Sequence, residues 1–121
     1  MKAVFDTNIL VDYLGGIAQA QEELKLYDEK IISVITYIEI LVGAKTIQEE
    51  AILMRFLTNF VIRQIDDVVA NTVIRLRRQH KRKLPDAIIY ATAKVENCLL
   101  VTRNVKDFDP VLPDVRLPYS L

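Results

Sequence analysis

Apolar positions along this chain alternate between short unbroken runs and helical spacing. KAVFD (2–6) reads as a short buried strand. TNILVDYL (7–14) then carries apolar side chains at helical intervals until the Gly15-Gly16 pair stops it. AQAQEELKLYDEK (18–30) is an amphipathic helix with its charges on one side. KIISV (30–34) is a second strand, running into the almost wholly apolar helix ITYIEILVGA (35–44), which Gly43 ends or bends. QEEAILMRFLTNF (48–60) supplies another helix and VIRQI (61–65) a third strand. Asp66 and Asp67 then cap and charge the first turn of a long helix to about Arg82. Leu84-Pro85 breaks it, and DAIIYATAKVEN (86–97) starts a fresh helix with Pro85 near its first position. CLLVT (98–102) is the fourth strand, RNVKDFDPVLPD (103–114) a loop rich in turn formers, and VRLP (115–118) a last short strand.

Strands separated by one or two helices need crossovers. The pattern therefore predicts a mostly parallel central sheet of four to five strands with helices on both faces, a three-layer α/β/α fold. A length of 121 residues suits one domain spanning 1–121, and a 51% hydrophobic composition leaves apolar surface for a partner. Lys+Arg and Asp+Glu are equal at 16 each, but their distribution is uneven: RLRRQHKRK (75–83) holds six bases and no acid. The single Cys98 excludes an intramolecular disulfide and a Cys-based zinc site and suits a reducing cytoplasm. Lys2 and Asp6 leave no room for a signal peptide, and no apolar run is long enough to span a membrane, so a soluble cytoplasmic protein is expected.

The acids carry the chemistry. In an open parallel α/β sheet, ligands bind beyond the carboxyl ends of the strands. Asp6 ends the first strand, Glu39 lies a helical turn beyond the second, and Asp107 follows the fourth by five residues. Asp86 begins the helix leading into the fourth strand, and it joins that rim when the 66–83 helix climbs the sheet and reverses at Leu84-Pro85. Each has an ordinary alternative: Asp6 as an N-cap, Asp86 as compensation for the helix dipole, Asp107 as a turn former. Glu39 sits between Ile38 and Ile40 in a segment expected to be buried, where a lone ionised carboxylate must be neutral, paired or metal-bound. Converging carboxylates repel by several kcal/mol when dry, so such a cluster persists by holding a cation. All-oxygen ligands without Cys or His favour Mg²⁺ or Mn²⁺.

A hard divalent ion that keeps its waters suits phosphate chemistry. The glycines, at 15, 16 and 43, form no phosphate loop of the GxxxxGK[ST] kind, which argues against nucleotide triphosphate hydrolysis. The basic segment points instead to a polyanion gripped by its backbone, with Arg77, Arg78, Lys81 and Arg82 as candidate contacts and Arg103 as another; a solvated helix end is the alternative.

FDTNILVDYL, ISVITYIEILVGA, LPDAIIYATA and LVTRNVKDF, in that order, resemble the PIN domain, and among its members the VapC-like toxin ribonucleases of toxin–antitoxin pairs. The resemblance runs from residue 3 to about 108. It implies an Mg²⁺- or Mn²⁺-dependent endoribonuclease neutralised by a small cognate antitoxin. It also implies a metal site at Asp6, Glu39 and Asp86. Many relatives carry a fourth acid where this chain has Asn104, others in the pair that is here Asp107-Phe108, so the metal role falls to Asp107, with Asn104 a water-mediated or orienting ligand. Thr7, Thr36 and Thr102 match hydroxyls of the family pattern that can orient the carboxylates, or they serve as β-branched packing. NILVDYL and AILMRFLTNF supply either ordinary core or the contacts of a homodimer and an antitoxin groove. The alternative function is a catalytically weak PIN-like module acting through dimerisation and antitoxin or nucleic-acid binding. A receiver-like phosphoacceptor built on Asp66-Asp67 is a more remote one.

Overall fold

Short apolar strands sealed on both faces organise the computed structural model, which describes residues 1–121. The chain runs β1 (Lys2–Phe5), α1 (Thr7–Leu14), α2 (Ala18–Lys25), β2 (Glu29–Ser33), α3 (Val34–Val42), α4 (Ile47–Leu57), β3 (Val61–Arg63), α5 (Asp67–Gln79), α6 (Leu84–Val95), β4 (Leu99–Val101) and β5 (Val115–Arg116). The strands form one sheet in the order β3-β2-β1-β4-β5, every neighbouring pair parallel. This is the expected α/β/α arrangement, with five strands.

Period-two alternation divides the core. Val4, Ile31 and Leu100 face one layer, packed on Val69, Val73 and Leu76 of α5 and Ile88 and Ile89 of α6. Ala3, Phe5, Ile32 and Val101 face the other, against Ile9 and Leu10 of α1, Leu24 of α2, Ile40 of α3 and Leu57 of α4. Both faces being covered explains why the strands read as continuous apolar runs.

Helices α2, α4 and α5 stop three or more residues before their patterns predict, α4 at Leu57 rather than Phe60. α2 stops at Lys25 because Tyr27 turns inward, 2% exposed. Asp28 and Glu29 then hydrogen-bond through their N–H groups to Met1 O at 3.1 and 3.4 Å, which starts β2. α5 stops at Gln79 rather than near Arg82, since His80 is extended (φ −140, ψ 145) and residues 80–83 make the reversal into α6. Asp66 is the expected N-cap of α5, accepting from Val69 N at 3.0 Å. α6 begins at Leu84, with Pro85 in its first turn where a missing N–H costs nothing.

β5 is tied back across the molecule to α2. Glu23, 4% exposed, accepts from Arg116 Nε and Nη2 at 2.6 and 2.9 Å and from Tyr27 OH at 2.8 Å. Burial opposes the charge on Glu23, but these donors outweigh it and hold the carboxyl below its ordinary value. The pair's contribution is therefore complete above the ordinary value of 4.5 and is lost as pH falls from there through the depressed value of the folded protein. Arg116→Ala should cost about 2 kcal/mol, because it strands the buried Glu23 carboxylate while water reaches the half-exposed Arg116 side and screens part of the loss. Glu23→Leu with Arg116→Met should cost less than Arg116→Ala alone, since it leaves no charge behind. Urea unfolding at pH 7 checks the order.

Candidate active site

The ladder between β1 and β4 places the first acid. Asp6 lies just past β1, and its N–H still donates to Val101 O at 2.9 Å. Its Oδ1 caps α1 by accepting from Thr7 N at 2.7 Å. Its Oδ2 accepts from Thr102 OH at 2.7 Å and from Asn8 Nδ2 at 3.3 Å. Capping and site-building are thus two uses of one carboxylate. Asp6 is only 4% exposed. Burial raises its pKa, the hydrogen bonds from Thr102 and Thr7 pull it back, and the charges of Glu39 and Asp107 raise it again, so the net direction is up.

Asp86 reaches the same rim because α5 and α6 are antiparallel. Arg63 pairs at 2.9 Å with both Asp66, at the start of α5, and Glu96, just past the end of α6. Those two ends therefore lie together, and the opposite ends, with Asp86, share the strand-end rim. Burial, then the charges of Asp6 and Asp107, push the Asp86 carboxyl up to about 6. Asp107 is close enough to Asp86 for each to shift the other. Asn104 clasps it twice: Nδ2 donates to Asp107 Oδ2 at 2.8 Å, and Oδ1 accepts from Asp107 N at 3.2 Å. That clasp is the main reason the Asp107 carboxyl stays below its usual range. Asn104 thus holds Asp107 by both polar groups of its side chain.

Glu39 is exposed, not buried as expected. α3 buries only Thr36 and Ile40 and leaves Ile38 (49% exposed) and Val42 (77%) outside, so an apolar helix here is not a sunken one. Glu39 stands at the lip of the hollow. Thr7 Oγ1 lies 2.6 Å from Glu39 Oε1 and 2.9 Å from Thr36 Oγ1. The single Thr7 proton belongs with the carboxylate, leaving Thr36 to donate to Thr7.

None of Asp6, Glu39, Asp86 and Asp107 takes part in an ion pair. Lys83 lies near enough to ease the charge on Asp86 and Asp107, and Lys106 that on Asp107, without closing a pair. No three acidic side chains stand in a direct metal-gripping arrangement. A dedicated cage is not what Mg²⁺ requires: it is held by one or two carboxylates and retains several waters. An all-oxygen set in mutual repulsion, without a cation of its own, fits that ion.

Two of the five proposed RNA contacts are engaged elsewhere. Arg82 lies with its guanidinium carbon 4.8 Å from the Tyr90 ring centroid and 5.8 Å from that of Phe108. Its Nε donates to Asp107 O at 3.4 Å, and its Nη1 is buried without a partner. It clamps the Asp107-Phe108 pair rather than facing solvent. Arg103 is bound bidentately to Asp12, Nε to Oδ2 at 2.7 Å and Nη2 to Oδ1 at 3.0 Å. Arg77, Arg78 and Lys81 are exposed. Asn8 and Asp12 were not singled out from the sequence. Their only signal is spacing four residues apart on α1, which puts both on one helix face.

A PIN domain family model matches residues 3–111. No curated protein matches the chain by sequence. Among solved structures, a chain of a toxin–antitoxin complex from Klebsiella pneumoniae is 41% identical over 99% of this chain and 100% of its own, with a TM-score of 0.92. VapBC2 from Rickettsia felis, bound to a promoter DNA fragment, is 25% identical over 100% and 99%, with a TM-score of 0.81. FitAcB from Neisseria gonorrhoeae, at 21% identity over 96% and 97% and a TM-score of 0.79, shares the fold. With a rim of acids at the ends of a parallel sheet and a family match over nearly its whole length, this chain belongs to the PIN domain family.

Proposed function

We propose that this protein is an Mg²⁺- or Mn²⁺-dependent endoribonuclease, the VapC-like toxin of a toxin–antitoxin pair. The observation that carries the reading is the unneutralised acid hollow, in which Asp86 is pushed up to about 6 by burial and by Asp6 and Asp107. Asp6, Asp86 and Asp107 would hold the ion, directly or through water. When bound, it supplies Lewis-acid polarisation of the scissile phosphate and an acidified water. Thr102, Thr7 and Asn8 keep the Asp6 lone pairs aimed, and Asn104 does the same for Asp107. Glu39, exposed at the lip and steadied by Thr7, either joins the ligands or orients the attacking water. Hydrolysis breaks the bond from phosphorus to the 3′ oxygen, leaving a 5′-phosphate and a 3′-hydroxyl. No side chain forms a covalent intermediate.

The solved relatives from Klebsiella and Rickettsia are toxin–antitoxin complexes, which supports a small antitoxin as partner here. Val11 and Leu14 on α1 and Ile47, Ile52 and Met54 on α4 are exposed apolar side chains, surface for that partner and for a second copy in a homodimer. No helix is long and apolar enough to cross a membrane, in keeping with a cytoplasmic site of action. The rival reading, a catalytically weak binding module, places no demand on the acids, whereas all four are present.

Four outcomes follow from this reading. Single-stranded RNA should be cut in Mg²⁺ or Mn²⁺ and not in EDTA. Asp6→Asn should reduce the rate by more than about 100-fold, beyond the roughly 10–100-fold typical of residues that only orient a ligand; gel-resolved cleavage of a defined RNA checks both. In the absence of metal, Asp86→Asn should raise Tm by a few degrees, because it removes a charge that its neighbours oppose; differential scanning calorimetry in EDTA measures it. Replacing Arg77, Arg78 and Lys81 with Gln should lower the slope of log affinity against log salt by about 2, at roughly 0.7 per single-strand phosphate contact. Fluorescence anisotropy with Asp6→Asn, which cannot consume the RNA, reads the slope.

A further inference from the structure

We infer that Asp12, Arg103 and Tyr119 form a positioning triad that sets the orientation of the Asp6 carboxylate, which links the segment after β5 to the proposed metal site. The inference rests on the proposed metal role of Asp6 and assigns a task to residues outside the acid hollow.

Residue 103 is gripped twice by one face of α1. Its backbone N–H donates to Asn8 Oδ1 at 3.2 Å. One helical turn later, Asp12 takes its guanidinium by both oxygens, at 2.7 and 3.0 Å. The backbone contact decides which way the Asn8 amide points. With Oδ1 committed to Arg103 N, Nδ2 must face the other way, where it lies 3.3 Å from Asp6 Oδ2 and 3.5 Å from Thr102 Oγ1. A flipped amide would set an oxygen against the Asp6 carboxylate. Thr102 gives its one proton to Asp6 Oδ2 at 2.7 Å and accepts from Asn104 N at 3.0 Å. The register of residues 102–104 against α1 therefore controls both side-chain donors to Asp6.

Backbone bonding from Thr102 N to Arg116 O at 3.0 Å seats residue 102 in the sheet, and the next residue is fixed against α1 by Asp12. Asp12 is 6% exposed, and its Oδ2 also accepts from Tyr119 OH at 2.8 Å. Three donors on one buried carboxylate leave it no freedom to turn. A desolvated ion pair contributes little net stability, because the loss of hydration cancels most of the attraction. Its directional, bidentate geometry is what the surroundings use, and a lysine at 103 could not reproduce it. Tyr119, beyond β5, reaches Asp12 through its hydroxyl.

The test compares wild type with Asp12→Asn, Arg103→Lys and Tyr119→Phe, each confirmed folded by its amide NMR spectrum. Three quantities are read: Mn²⁺ affinity by electron paramagnetic resonance, protection of the Arg103 amide from hydrogen exchange, and the split between KM and kcat for a defined RNA. A positioning role predicts Mn²⁺ binding weaker by about tenfold in Asp12→Asn and Arg103→Lys, within the range for residues that orient a metal ligand. It also predicts faster exchange at Arg103, lower kcat and unchanged KM, with Tyr119→Phe smaller in the same direction. Unchanged Mn²⁺ affinity and exchange in folded variants would reduce the triad to an anchor for the tail. A raised KM with a flatter salt dependence and unaltered metal binding would make Arg103 an RNA contact instead. Should wild type cut no RNA, the proposed nuclease activity fails, while metal affinity and amide exchange still decide the triad.

Discussion

Three carboxylates of like charge, Asp6, Asp86 and Asp107, face one hollow at the ends of β1 and β4, and no cation in the protein closes an ion pair with them, Lys83 and Lys106 only easing the charge on Asp86 and Asp107. The rest of the molecule is arranged around that repulsion. Left to themselves, the groups would separate or take up protons, and Asp86 already leans that way. What prevents separation is the double-sided core: Phe5 and Val101 beneath the rim are fully buried on one face, and Ile89, Leu100 and Phe108 on the other are buried within about one per cent. Apolar burial of this kind stabilises by about 25 cal/mol per Å², enough over a whole core to hold a locally unfavourable cluster. The site is thus strained electrostatically in a frame that is not strained mechanically, a common arrangement where function costs stability.

Hydrogen bonding supplies the directionality that burial lacks. Thr7, Asn8 and Thr102 orient Asp6, Asn104 clasps Asp107, and Arg82 lies across the Asp107-Phe108 pair. These groups come from α1, the segment after β4 and the turn between α5 and α6, so a change in any one of them is felt at the carboxylates. The same logic holds away from the site, where Glu23 and Arg116 fix β5 to α2.

Much of this was legible in the chain because it is local. Asp6 directly after an apolar run has to lie at a strand end, and the reversal at Leu84-Pro85 has to return α6 down the sheet, which puts Asp86 at the rim. Strand order is not local, and the middle place of β1 emerged only with the fold. Glu39 misled because composition was taken for burial: α3 is apolar on its outer face as well, at Ile38 and Val42. Arg82 and Arg103 looked like free cations because charge is visible in a sequence while the partner is not. Asp12 lies 91 residues from Arg103, and Tyr90 and Phe108 are ordinary core aromatics by pattern. Helix ends at Lys25 and Gln79 fell short of their periodicity for a related reason, since tertiary turns and not propensity stop them.

The central claim is that the acid hollow exists to share one hard cation, and anomalous diffraction from crystals soaked in Mn²⁺ addresses it directly. The account predicts a peak between Asp6 and the Asp86–Asp107 pair, with metal–oxygen distances near 2.1 Å for at least one carboxylate and water completing the shell. A hollow with no peak at millimolar Mn²⁺, its carboxyls met instead by Lys83 or Lys106, would contradict it.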